Sequence, residues 1–396
     1  MTYELKFPAV SKFGWSITDS LHQEVDALKA SKVLIITDEI LKELHVIKEI
    51  IQHLEKQFEV KIYSDVEAEP SLACAQSIVD YTKEQRVDCV IGLGGGSILD
   101  IAKIAAVLSA HEGEVKDYLN ISGERSIKHK GLPKILIPTT SGTGSEVTNI
   151  SVLSLDGTKD VIVHEHMLAD VALVDPALTM SVPPAITGAT GADAITHAIE
   201  AYLSNQANTV TDALALKAIE LIHGSLEAAV INGNDREARA ALSEGSFLAG
   251  MAFFHAGVAG VHALAYPLGS KFQVAHGESN AVLLPYVISY ISGSCPEKMK
   301  KVASLIDPYF AEEKQYSSSD YLSLLKQFTG RIHIPASLKH YGIKLEDLKG
   351  LTENAMEQQR LLQRSPYPLA KEDIYSIYKS AWEGAEKAAP KTSYIP

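Results

Sequence analysis

The sequence predicts an α/β unit built on a parallel sheet up to about residue 180 and an all-α unit after it. Two observations carry this. Up to Thr179, short unbroken apolar runs alternate with helical stretches, and strand alternating with helix implies a parallel sheet with helices on both faces. Strands buried on both sides read as continuous apolar runs rather than alternating ones. After Val182-Pro183-Pro184 the pattern becomes helical and alanine-rich, with few strand runs. The 396 residues therefore divide into units of 1–180 and 181–396, each long enough to bury its own core.

Taken in order, residues 32–36, 60–63, 88–92 and 134–138 read as strands, and residues 40–58, 72–85 and 101–108 as helices. Beyond the boundary, 193–204, 211–229 and 236–254 read as long helices. The stretch 239–254, rich in Ala, Gly and Ser, reads as a helix crowded by neighbours and without functional meaning. Ser317-Ser318-Ser319 reads as a helix start.

Composition narrows the function. A hydrophobic fraction of 46% and a charged fraction of 21% are those of a soluble globular protein. A formal net charge of -13 argues against nucleic acid or acidic membrane as the main partner, because phosphate backbones are bound by clustered Lys and Arg. A small-molecule ligand is expected. Cys74, Cys89 and Cys295 are scattered and lack C-x-x-C spacing, which fits a reducing cytoplasm. The first residues lack the basic and apolar segments of a signal peptide, and no run of ~18 apolar residues exists for a membrane span.

The stretch from Gly191 to Glu200 reads as a helix, and residues four apart lie on one face, so Asp193 and His197 present a carboxylate and an imidazole to one point. His262, in Val261-His262-Ala263-Leu264, and His276, beside Gly277 in an expected turn, add two imidazoles. This set suits divalent iron or zinc. The alternative is that Thr190 and Asp193 form a helix-capping pair. His262 lies among apolar neighbours, and a buried imidazole without a partner costs about 1–3 kcal/mol, so it needs a hydrogen bond or a metal.

Phosphate-binding signals lie in the first unit. Gly94-Gly95-Gly96-Ser97, after a strand and before a helix, allows close backbone approach and offers helix-start amides to a pyrophosphate. Ser97 and Asp100 also fit a capping box. Asp38, at the end of the first apolar strand, can accept from an adenosine ribose and repel a 2′-phosphate, favouring NAD over NADP; it can equally cap the following helix. Thr139-Thr140-Ser141-Gly142-Thr143 supplies hydroxyls and glycine at the carboxyl end of another strand, where ligands bind in such sheets, and Ser145 can equally be a cap.

Together these motifs, with Val174-Asp175-Pro176 and the run from His262 to Gly269, resemble the iron-containing alcohol dehydrogenase family over nearly the whole chain. The resemblance implies a Rossmann-like N-terminal domain and a helical C-terminal domain in the two-domain plan of dehydroquinate synthase. It implies NAD(P) and one metal ion in the cleft between them, and commonly a homodimer. The family's metal ligands fall on Asp193, His197, His262 and His276, its pyrophosphate loop on Gly95, Gly96 and Ser97, and its nicotinamide contacts on Thr139, Thr140, Thr143 and Lys159. Asp38 matches its NAD-preferring acid.

The chain departs from the family in three respects. Tyr266 stands where many members carry a histidine near the nicotinamide, and a phenol titrates near ~10 rather than ~6.5. Tyrosine there is similar to the hydroxyacid-oxoacid transhydrogenase branch. Glu69 replaces a usual Asn. His255, with Ser365-Pro366-Tyr367, alters the substrate side. The expected chemistry is hydride transfer between a primary alcohol or hydroxyacid and nicotinamide, with Tyr266 and His276 at the reacting centre. The other readings are a transhydrogenase-like enzyme or a sugar-phosphate cyclase of the dehydroquinate-synthase type.

Overall fold

The computed structural model describes residues 2–155, 158–308, 310 and 315–384. The described residues form eight strands: β1 (Val10–Phe13), β2 (Lys32–Ile36), β3 (Glu59–Tyr63), β4 (Cys89–Gly94), β5 (Lys134–Pro138), β6 (Ile150–Leu155), β7 (Thr158–Val163) and β8 (Val171–Val174). Six form a parallel sheet in the order β1-β8-β5-β4-β2-β3. The remaining two, β6 and β7, pair as a separate antiparallel hairpin.

The first four helices are α1 (Leu21–Ala27), α2 (His45–Glu55), α3 (Leu72–Gln85) and α4 (Gly96–Leu108). Alternate strand residues enter opposite cores: Leu34 and Ile36 pack with Ile98, Leu99 and Ile78, whereas Val33 and Ile35 pack with Leu21, Ile47 and Leu54. The chain leaves β2 toward β3 at one edge and returns to β4 on the other side of β2. That reversal opens a crevice at the carboxyl ends of β2 and β4, the usual ligand position in open α/β sheets.

From Pro184 onward the regular elements are helical among the described residues: α5 (Pro184–Leu203), α6 (Thr209–Ile231), α7 (Arg236–Ala256), α8 (Gly260–Phe272), α9 (His276–Ile291), α10 (Pro296–Ile306), α11 (Ser318–Arg331), α12 (Leu348–Glu357), α13 (Gln359–Leu362) and α14 (Lys371–Glu383). Their apolar faces share one core that includes Ile195, Ile199, Leu226, Leu264 and Leu284. No single helix among the described residues is long and apolar enough to cross a membrane.

Several local expectations are corrected. The helix expected over 40–58 is a 3-10 turn, Leu41–Glu43, followed by α2, because Leu44 between them takes extended backbone. Helix α4 starts at Gly96, not at residue 101, with Gly95 as its N-cap, so Ser97 and Asp100 form no capping box. Helix α5 starts at Pro184, a residue suited to a first helical position because it lacks an N–H, which puts Asp193 in mid-helix and removes its capping role. His276 opens α9 and does not lie in a turn.

Candidate metal and cofactor site

Three helices bring the metal-type side chains together. Asp193 and His197 lie one turn apart on α5, His262 lies on α8 and His276 opens α9. One donor atom each from Asp193, His262 and His276 falls within 4.8 Å of the others. Asp193 Oδ1 is 3.6 Å from His262 Nε2, 3.7 Å from His276 Nε2 and 3.8 Å from His197 Nε2. His197 therefore reaches the shared carboxylate but stands outside the tight group of three; its ring stacks on Phe253 of α7 with centroids 4.3 Å apart. The stretch 239–254, expected to carry no functional meaning, thus forms a wall of this site.

Two residues to which the sequence assigns no role complete the cluster. Glu200, two turns beyond Asp193 on α5, accepts from His262 Nδ1 at 2.6 Å and from the Val261 amide at 2.6 Å. A carboxylate on the far ring nitrogen fixes the tautomer and leaves Nε2 facing the centre, as in carboxylate–histidine–metal arrangements. Asn280, one turn after His276 on α9, donates through Nδ2 to Asp193 Oδ1 at 2.7 Å and lies 3.2 Å from both His262 Nε2 and His276 Nε2. The i, i+4 rule that marks Asp193 and His197 also marks His276 and Asn280. Assigning His276 to a turn hides that pair.

The donor set asks for positive charge. Burial pushes the Asp193 carboxyl up, but the surrounding imidazoles of His197, His276 and His262 hold it well below the usual carboxylate range. Burial pushes His276 down to about 3 and, against the pull of Asp193, His197 down to about 4. His262 goes the other way: burial disfavours its charge, yet hydrogen bonds to Asp193 and Glu200 lift it to about 9. With His262 neutral, the two hydrogens of the Asn280 amide face three acceptor atoms. One lone pair is left over for a cation, either a proton on His262 or a metal ion whose binding displaces it. One carboxylate and neutral imidazole nitrogens fit divalent iron or zinc.

The cofactor-type residues lie at the adjacent ends of β4 and β5, where Gly94 pairs with Pro138 and the Thr139 amide donates to the Gly94 carbonyl at 3.0 Å. This brings Gly95-Gly96-Ser97 against Thr139-Thr140-Thr143. A Cβ on Gly96 would stand 2.5 Å from Thr143 Cγ2, and one on Gly95 3.6 Å from Thr140 Oγ1. Ser97 Oγ donates to the Ala68 carbonyl, drawing the loop with Glu69 over the glycines. Asp100 turns inward: it accepts from Ser145 Oγ at 2.6 Å and the Val152 amide at 2.9 Å, and pairs with the wholly buried Lys103 at 2.9 Å. Asp38 caps through Oδ1, accepting from the amides of Ile40 and Leu41.

The Thr-rich loop also reaches the helical half. A Cβ on Gly142 would lie 2.8 Å from Thr190 of α5, and one on Gly144 2.5 Å from Gly250 of α7. From the β6–β7 hairpin, Lys159 pairs with Glu69 at 3.1 Å and lies 3.5 Å from the Cβ position of Gly269 on α8. Tyr266, one turn after His262, is buried with its ring 6.0 Å from that of His276, and burial pushes its hydroxyl above the usual phenol range. His255 Nε2 is buried without a partner, and its ring meets Phe7 edge-on.

A parallel sheet with a glycine-rich loop at its reversal point, joined to a helical half holding a carboxylate–imidazole cluster, has the parts of a dinucleotide- and metal-dependent enzyme. Comparison with known proteins makes this specific. Residues 8–176 match the model of the iron-containing alcohol dehydrogenases, and residues 187–382 that of the C-terminal part of the Fe-containing alcohol dehydrogenase family. The chain belongs to the iron-containing alcohol dehydrogenase family, and it is an oxidoreductase of alcohols and aldehydes.

Among its relatives, long-chain-alcohol dehydrogenase 1 of Geobacillus thermodenitrificans (strain NG80-2) is 51% identical over 381 residues, 96% of each chain. NAD-dependent methanol dehydrogenase of Bacillus methanolicus is 31% identical over 94% of this chain and 98% of its own. In crystal structures, a 1,3-propanediol oxidoreductase matches with a TM-score of 0.90 at 32% identity, over 96% of this chain and all of that one. A sulfoacetaldehyde reductase from Bifidobacterium kashiwanohense in complex with NAD+ matches with a TM-score of 0.87 at 26% identity, over 96% of this chain and 99% of that one. Nothing in these comparisons supports the transhydrogenase or cyclase readings.

Proposed function

We propose that this protein interconverts a primary alcohol and its aldehyde with NAD(H), using a divalent ion, iron or zinc, held by Asp193, His197, His262 and His276. The observation that carries the reading is the convergence of Asp193, His262 and His276 within 4.8 Å. Bound there, such an ion supplies Lewis-acid polarisation of the substrate oxygen, and nicotinamide supplies or accepts the hydride. The chain supplies the rest. Glu200 holds His262 in place. Gly94, Gly95, Gly96 and Ser97, on helix-start amides, receive the pyrophosphate. Thr139, Thr140, Thr143 and Lys159 line the nicotinamide side, and Asp38 favours an unphosphorylated ribose. Asp100 acts from behind, by tying α4 to the Ser145 loop. Tyr266 keeps its proton at neutral pH and donates a hydrogen bond at the reacting oxygen.

The units 1–180 and 181–396 are the two walls of the cleft in this reading. A cytoplasmic location is supported by three free cysteines. A homodimer is supported by the edge strand β1, which exposes Val10 and Phe13, since unpaired sheet edges favour pairing with another chain. The acidic charge supports a small-molecule partner and no nucleic acid or membrane.

The test is NADH oxidation by short and long aldehydes and oxoacids, on protein stripped with chelator and reloaded anaerobically with ferrous iron or zinc. Turnover that returns only with metal and prefers aldehydes is the expected result. Turnover in the stripped protein would refute the metal reading.

A further inference from the structure

Asn280 lies among the donor atoms of the cluster, and it is wholly buried. Its orientation is fixed by chemistry. An ionised carboxylate only accepts, so the Asn280 atom 2.7 Å from Asp193 Oδ1 must be the amide nitrogen. Turning the amide over would set two acceptors against each other. The cost of this orientation is visible: Asn280 Oδ1 is buried without a partner. A side chain that merely filled space would carry no such orphan, since leucine has nearly the same shape and no polar atoms.

We infer that Asn280 is a positioning residue for the metal ligands, its amide donating one hydrogen to Asp193 Oδ1 and the other toward the Nε2 atoms of His262 and His276, which keeps the three donor atoms turned toward one point before an ion arrives. Because Asn280 and His276 share α9 one turn apart, the helix fixes their spacing. The amide then ties that helix to Asp193 on α5. The three acceptors belong to three different helices, and Asn280 is the group within reach of all of them. This deepens the metal reading above and rests on it.

The test titrates Co2+ into chelator-stripped protein in competition with a chelating dye, for the wild type, Asn280→Leu and Asn280→Ala. It follows both affinity and the visible Co2+ bands, and a thermal melt of the metal-free forms accompanies it. Asn280→Leu keeps the volume and folds even if the smaller residue leaves a damaging cavity. The expected result is Co2+ binding weakened about 10–100-fold, the range for lost outer-shell partners, with shifted bands and a metal-free fold that melts as a single transition. Equal affinity and identical bands in Asn280→Leu would overturn the inference. In the wild type, the side-chain amide NMR signals of Asn280 are expected to move with one equivalent of Zn2+, and unmoved signals also overturn it. Wild-type protein that takes up no Co2+ overturns the metal reading itself, a failure distinct from unchanged affinity in the variant.

Discussion

Substituting Glu200 by glutamine tests how the ligand set is prepared. In the wild type, one carboxylate accepts two hydrogens, from His262 Nδ1 and from the Val261 amide, each at 2.6 Å. Glutamine has one acceptor and one donor. If its oxygen keeps the Val261 amide, its NH2 group faces His262 Nδ1, which must then present a lone pair. The ring proton moves to Nε2 and points into the cluster, where it blocks coordination. If the amide turns over, the Val261 N–H loses its acceptor inside a fully buried pocket, at about 1–3 kcal/mol. The first orientation avoids that cost, and in it metal affinity is expected to fall about 10–100-fold, equivalent to ~1.4–2.8 kcal/mol at 1.4 kcal/mol per factor of ten. The assay is chelator competition with Zn2+, joined by ring-nitrogen NMR of the metal-free protein to read the His262 tautomer. Unchanged Zn2+ affinity with the proton still on Nδ1 would show that Glu200 does not prepare His262.

Three further outcomes follow from the geometry. Gly96→Ala puts a methyl 2.5 Å from Thr143 Cγ2, an overpacking of about 1–3 kcal/mol; it is expected to raise KM for NADH at least tenfold while metal content stays constant, and an unchanged KM counts against the glycine loop as the cofactor cradle. Tyr266→His replaces a hydroxyl whose titration burial pushes up with a ring that ordinarily titrates near ~6.5, so the variant's kcat profile is expected to gain an inflection between about pH 6 and 7 that the wild type lacks; superimposable profiles refute the placement of Tyr266 at the reacting oxygen. Asp38→Ser keeps a capping oxygen for Ile40 and Leu41 and removes the charge, so the ratio of NADPH to NADH kcat/KM is expected to rise with the melting temperature nearly unchanged; an unmoved ratio excludes Asp38 as the discriminating acid.

The parts of the fold legible in the sequence are those where one physical pattern acts alone. β2 and β5 are buried on both sides and read as unbroken apolar runs with the bounds observed. β1, whose sequence Val-Ser-Lys-Phe lies at the sheet edge, offers neither an apolar run nor much length. The β6–β7 hairpin lies outside the main sheet and packs partly against helices, so its residues carry no parallel-sheet pattern. In the site, Asp193 and His197 are legible because a single helix sets their spacing. The convergence of α5, α8 and α9 is a product of helix packing, so the sequence supplies His262 and His276 as candidates but not the company of Asn280, Phe253 or the Thr-rich loop. Asp100 and Lys103 were hidden for a different reason. A buried ion pair within α4 that ties the helix to the Ser145 loop looks, in one dimension, like an ordinary polar helix face.

The seam between the two halves is made largely of missing side chains. Thr143 fills the space above Gly96, Gly142 abuts Thr190, and Gly144 abuts Gly250 at distances that leave no room for a methyl group. Thr190 is on the helix of Asp193, and Gly250 is one turn from Phe253, which stacks on His197. One short loop therefore borders both the glycine turn at Gly96 and the helices that carry Asp193 and Phe253. The two compartments have no slack between them through which a change on one side could be absorbed. In the proposed reading cofactor preference can be retuned at Asp38, away from this contact, but a side chain gained at Gly142 or Gly144 would displace both compartments together.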